Sequence, residues 1–251
     1  MTEHKPYAHA IIIMGLLLAI GMASAAFILG VQAKRAVSGQ QSITVKGLAE
    51  KPIQADSAEW LITVGVTADT QAAALKYLAQ EKQVVEAFLD KQGLTSTTRT
   101  AEIETLNPHY EEVFIKDTPR QVQKGYEAYQ NIRILSKVLA KITAANQAFL
   151  QLRADNHPVT AQAPQYLVSN LEAIKMSLIA DATKNARARA TEFVKQDGVQ
   201  VGVMKSASQG AFYILPASGA DDSDNSYGGV YDKSTIAKLA RVVVTIVYNI
   251  E

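Results

Sequence analysis

The stretch Gly125–Lys137, GYEAYQNIRILSK, decides how the rest of the chain is read. Tyr126, Ala128, Ile132 and Ile134 fall on one face, and Glu127, Asn131, Arg133 and Lys137 on the other. Alternation with a period of two is the pattern of a half-buried strand. Two strand–helix–strand halves lie around this strand. The first contains the sharpest alternation in the chain, Ala58–Ala68, where Ala58, Trp60, Ile62, Val64, Val66 and Ala68 occupy every second position. The lone tryptophan therefore reads as core.

Asp69 and Thr70 are placed to cap a helix running to about Gln92, with Leu75, Leu78, Val85, Phe88 and Leu89 at helical spacing and Gly93 closing it. A strand is expected over Thr98–Leu106. Asn107–Pro119 reads as a protruding loop or hairpin tip. Beyond the central strand, a helix is expected from Lys141 to Asp155, capped by Thr143, with Ala144, Phe149 and Leu152 on its buried side. A short strand, Val159–Val168, leads to the longest helix, Asn170–Asp197. Its stripe is Leu171, Ile174, Leu178, Ala182, Ala186, Ala190 and Phe193. Phe88–Leu94 and Phe193–Val199 echo one another, each an amphipathic helix end, a glycine and the start of a strand.

Near the beginning, Ser42–Leu48 reads as a strand, with Gly47 and Pro52 framing a bend. Near the end, Val199–Leu215 and Ile236–Ile250 read as strands flanking a flexible polar loop over residues 216–234. Ala240, Val242, Val244, Ile246, Tyr248 and Ile250 form one apolar face of the last strand, which is expected at a sheet edge. Several strands are one-faced and joined as hairpins. The class is therefore α+β: a mixed, mainly antiparallel sheet with helices packed on it.

Residues Ile11–Val31 are almost wholly apolar, and no Asp, Glu, Lys or Arg occurs between Lys5 and Lys34. Such a run spans a bilayer as a helix. It reads either as an uncleaved anchor over residues 10–33 or as a secretory signal cleaved near Ala23-Ser24-Ala25. The continuation through Phe27, Ile28 and Leu29 favours the anchor. Residues 1–9 then form an N-terminal tail, 34–41 a tether, and 42–251 a single α+β domain. Lys34 and Arg35 after the segment point the domain towards the cytoplasm on the positive-inside rule.

The chemistry that composition excludes is broad. With no cysteine there is no disulfide, no thiolate nucleophile and no Cys-based zinc site. A net charge of +1 gives no electrostatic case for nucleic acid. Of the four histidines, His109 lies beside Glu111 and Glu112 and His157 precedes Pro158; neither sits in a metal-binding or triad pattern. The acidic run Asp221–Ser226 does not make a calcium loop, because Tyr227 stands where glycine is needed and Lys233 where glutamate is needed. The expectation is no catalytic residue, no cofactor and no metal. Phe212, Tyr213, Tyr227 and Tyr231, with Val244 and Ile246 on the last strand, are the candidate surface for association with further copies. A second reading is a binding module whose cleft is walled by Tyr126, Tyr129 and Tyr166.

From Ser42 onward the chain resembles the SIMPL-domain family of bacterial periplasmic immunogenic and oxidative-stress-associated envelope proteins. The resemblance is carried by Val45-Lys46-Gly47, Lys51-Pro52 and Asp56, by Gly125-Tyr126-x-Ala128, by Ala182, Ala186 and Ala190, and by Gly198-Val199-x-Val201-Gly202. The chain departs from that pattern at Gln130-Asn131. The resemblance implies a single-pass protein of the bacterial inner membrane with its domain in the periplasm. It also implies a ring- or cage-like homo-oligomer, and it brings no catalytic residue with it. With no Cys and five Met, a stress role by direct redox chemistry is disfavoured.

Overall fold

The computed structural model describes residues 5–38, 41–94, 98–115, 118–218 and 229–251. It is an α+β chain of four helices and nine strands among those residues. In order these are α1 (Lys5–Ser38), β1 (Ser42–Gln54), β2 (Ser57–Ala68), α2 (Gln71–Lys91), β3 (Thr98–Ala101), β4 (Thr105–Ile115) and β5 (Thr118–Ser136). They continue with α3 (Leu139–Ala154), β6 (Val159–Ala161), β7 (Gln165–Leu167), α4 (Leu171–Lys195), β8 (Val201–Pro216) and β9 (Ala237–Ile250). The chain divides into two compact units. One comprises Met1–Ala49, Ser177–Ala211 and Val242–Glu251; the other comprises Glu50–Met176 and Phe212–Arg241.

The second of these units is built on a six-stranded sheet. β2 and β5 are its centre, antiparallel from Ala58 opposite Ser136 to Ala68 opposite Tyr126. β6 and β7 pair with the far side of β2, and β3 and β4 with the far side of β5. The alternation in sequence becomes burial: Ala58, Trp60, Ile62, Val64, Ala128, Ile132 and Ile134 face α2 and α3 in one core cluster. Phe149 of α3 meets the Trp60 ring edge-on at 5.5 Å and Phe88 of α2 at 6.2 Å, locking both helices to the same sheet face. Trp60 Nε1 donates to the Gln162 carbonyl at 3.0 Å, so its one polar group is not orphaned.

Local signals explain most helix ends. The Thr70 hydroxyl accepts from the Ala73 amide and caps α2. Gly93 and Gly198, which follow α2 and α4, have φ of 71° and 68°, a conformation that glycine adopts without strain. Thr143 does not cap α3. That helix begins at Leu139, and the Thr143 hydroxyl instead donates to the Leu139 carbonyl. Its buried side is Ile142, Ala145, Phe149 and Leu152, so Ala144 turns outward. In α4 the stripe ends in Val194 and not Phe193, which is 67% exposed.

In the unit that contains the C-terminal half of α4, the close packing allowed by alanine is explicit. Ala182, Ala186 and Ala190 are fully buried. Gly47 lies so near α4 that a Cβ there would stand 2.0 Å from the Ala182 carbonyl oxygen. The Leu48 amide donates to Asn185 Oδ1, and Arg189 donates to the Lys46 carbonyl. Gly47 therefore marks a contact and no bend; β1 runs unbroken through both Gly47 and Pro52. Gly47→Ala is expected to push backbone from backbone and to cost about 1–3 kcal/mol. Hydrogen exchange at the Leu48 amide should rise with it; unchanged protection there would refute the contact.

Two further expectations change. Asn107–Pro119 is largely strand: β4 and β5 form a long hairpin, with a register shift between His109 and Tyr110. β9 is not an edge. The three-stranded sheet has the order β1-β9-β8, so β9 is its middle strand.

Candidate functional site

The N-terminal helix is the first feature with a functional consequence. Ile11–Gln32 has a mean hydropathy of 2.6 over 22 residues, enough to cross a membrane by length and composition. Its side chains from Ile11 to Gln32 are exposed throughout. An exposed helix this apolar is stable only if covered, and a bilayer is the kind of cover its length and composition fit.

The aromatic and aliphatic residues expected at a surface between copies fall into two groups. Val244 and Ile246 are 4% and 1% exposed, because β9 turns that face into the chain's own core. Phe212 and Tyr213 are half-buried on β8. The Tyr231 hydroxyl accepts from the Val168 amide at 2.9 Å, and the segment around it is pinned by Ile214 donating to the Val230 carbonyl. Tyr227 and Asp221–Ser226 lie outside the described residues. The open edges of the three-stranded sheet belong to β1 and β8. From Val203 to Gly210, β8 is exposed at every position, on both faces. Its sequence, VMKSASQG, has no apolar face, which is why alternation did not single it out.

The three tyrosines of the expected cleft do not converge. Tyr126 pairs with Ala68 at one end of β2, Tyr166 with Ala58 at the other, and Tyr129 sits on the opposite sheet face from Tyr126. Tyr166 is buried and shares a hydrogen bond with the Thr143 hydroxyl.

The face of the six-stranded sheet opposite the helices carries an interlocked polar network. Thr63 donates to Asn131 Oδ1, Asn131 donates to Glu102, and Arg133 bridges Glu102 and Glu59. The Asn131 and Arg133 donors hold the Glu102 carboxyl below its usual range, and Glu102 in turn raises Arg133. Asp56 is likewise lowered, first by the Ser169 hydroxyl and further by the Ser169 amide and the Ser57 hydroxyl, against a smaller opposing effect of burial. All three groups are satisfied by neighbours within the chain. His109 lies 3.6 Å from Glu111, and His157 Nδ1 lies 2.7 Å from Glu81 Oε2. No group of three or more His, Asp or Glu suited to a metal ion occurs among the described residues.

Residues 43–244 match the family described as SIMPL, protein of unknown function (DUF541), a match that starts after α1 and covers most of the 251 residues. No curated protein matches the chain.

Proposed function

Because the chain belongs to the SIMPL family, we propose that it is a membrane-anchored envelope subunit that associates with further copies of itself and has no catalytic role. In this reading α1 holds the chain in the inner membrane, the domain faces the periplasm, and anchored copies close into a ring- or cage-like assembly. Anchors gathered on one particle add avidity for the membrane.

The observation that carries self-association is the outer strand β8, bare on both faces over Val203–Gly210. A long unpaired edge offers a row of backbone donors and acceptors to another chain, and native proteins rarely leave one uncovered. Phe212 and Tyr213 continue the same strand and supply apolar area beside it. Successive residues of an edge strand point their amides alternately inward and outward. Of Ser206→Pro and Ala207→Pro, one therefore removes an amide facing β9 and the other an amide facing outward. The outward variant should keep the wild-type circular dichroism and melting curve but run as a smaller particle on size-exclusion chromatography. Wild-type particle size for both folded variants would remove β8 from the assembly.

A further inference from the structure

A closed ring needs two different surfaces on every chain. A surface that meets its own kind joins two copies and stops, whereas a head-to-tail contact repeats until the circle closes. β8 supplies one such surface. It is the outer strand of its sheet, and residues 203–210 are exposed on both faces. Farther along, the strand is covered, because Ile214 exchanges hydrogen bonds with Val230 and Asp232. The open stretch needs a complement on the next copy, and the strand edges among the described residues differ sharply in fitness for it.

β3, β6 and β7 have at most four residues each. β1 engages its Lys46 carbonyl and Leu48 amide with Arg189 and Asn185 of α4. β4 remains. It has 11 residues and pairs with β5 alone. Pairing between β2 and β5 ends at Ala68 opposite Tyr126, so residues 110–115 and 118–123 stand beyond it as a two-stranded arm. Such a hairpin is marginal in water without a third strand. Tyr110 and Phe114 share one of its faces and are 54% and 69% exposed.

Charge selects the β4 side of the arm. On the β5 side, Pro119 has no amide to donate, and Arg120 and Lys124 are basic. On the β4 side, the charged residues of 110–115 are Glu111 and Glu112. The only charged residue of β8 is Lys205. Opposite charges across a strand pair stabilise it and like charges oppose it. Val203 and Met204 are exposed neighbours on β8 and point to opposite faces, so one of them falls on the face of Tyr110 and Phe114.

We propose that β4 of one copy docks along residues 203–210 of β8 in the next copy, adding the hairpin arm to that copy's three-stranded sheet. The proposal rests on the self-association argued above and names the second surface it requires.

The chain has no cysteine, so introduced thiols report without background. Glu112→Cys and Ser206→Cys lie at exposed positions near the middle of the two edges. Every register that keeps residues 110–115 on residues 203–210 sets these positions within about two residues of one another. The full-length double variant and both single variants are assembled in mild detergent, treated with a short bismaleimide and run on denaturing gels. Light scattering before treatment reports whether each is assembled. The double variant should give a ladder of dimers, trimers and larger species, and each single variant should remain a monomer on the gel. Dimers from Ser206→Cys alone would set β8 against β8, and dimers from Glu112→Cys alone would set arm against arm. Either result, or an assembled double variant that gives no ladder, would overturn the docking and leave self-association standing. A double variant and a wild type that are both monomeric by light scattering would overturn both.

Discussion

Lys238→Met is expected to lower the stability of the protein by about 3–5 kcal/mol, although it adds no bulk and removes no apolar contact. Lys238 is 0% exposed, an uncommon position for a lysine. Its ammonium donates to the Asp232 carbonyl at 2.6 Å and to Asp232 Oδ2 at 3.2 Å. Asp232 also accepts from the Ser234 amide, the Ser234 hydroxyl and the Thr235 hydroxyl. This knot shapes the turn that delivers the chain into β9. Removing the lysine leaves a buried carboxylate one strong donor short, and the cost is mostly that of the unpaired charge. Adding Asp232→Asn to Lys238→Met should recover part of the loss, which chemical denaturation followed by Trp60 fluorescence would measure. Recovery is not expected if the lysine acts only through its methylenes.

The same knot sets an acid limb. Burial pushes the Asp232 carboxyl up, but the Thr235, Ser234 and Lys238 donors outweigh it and hold the group well below its ordinary value of 3.8. A carboxylate depressed in the folded state binds protons more readily when unfolded. Its contribution is therefore complete above about pH 5 and is lost as pH falls through the unfolded value towards the folded one. Asp56, lowered for similar reasons, adds to the same limb. Asp232→Asn should flatten the fall of stability between about pH 5 and pH 2; a slope equal to wild type would show that other carboxylates carry it.

Trp60→Ala should cost a similar amount, about 3–5 kcal/mol, for a different reason. Trp60 is fully buried and joins β2 to α3 through the Phe149 edge contact and to the β6–β7 connection through Gln162. Its removal opens a cavity on the one surface shared by sheet and helices. It also leaves the Gln162 carbonyl without that donor. Trp60→Phe keeps most of the volume and should cost clearly less, since the hydrogen bond alone is worth about 1 kcal/mol. Thermal melting by far-UV circular dichroism compares the three proteins. Equal melting of the alanine and phenylalanine variants would contradict the packing role. By contrast, the Arg133–Glu59 pair is solvent-exposed enough that Arg133→Met should change stability by less than about 1 kcal/mol.

How legible the molecule was depended on whether a residue's role was written in its immediate neighbours. β2 and the part of β5 from Gly125 to Ser136 were legible because one face is buried there, and burial imprints alternation. The ends of α2 were legible because Thr70 and Gly93 act within a few residues of themselves. The hairpin arm was not, since Asn107, Pro108 and the charged residues after them read as a turn, while backbone pairing with β5 holds them extended. The place of β9 was misread for a deeper reason. A strand buried on one face looks the same in sequence whether it has one neighbour or two, and pairing with both β1 and β8 is a long-range fact. β8 was expected as a strand over Val199–Leu215 and is one, but its place as an edge was not legible, because a strand bare on both faces has no pattern to impose. Gln130 stood out only as a departure beside Asn131. That its amide is buried and half-satisfied depends on the break between β3 and β4 at Glu102–Glu104, which no local signal marks.

The central claim is that anchored chains assemble. Light scattering coupled to size-exclusion chromatography, on full-length protein in mild detergent and with intact mass recorded on the same peak, tests it most directly. A single discrete particle many times the 27.1 kDa chain mass, made of chains that retain α1, is the predicted result. A monomer, with or without its N-terminal helix, would contradict it.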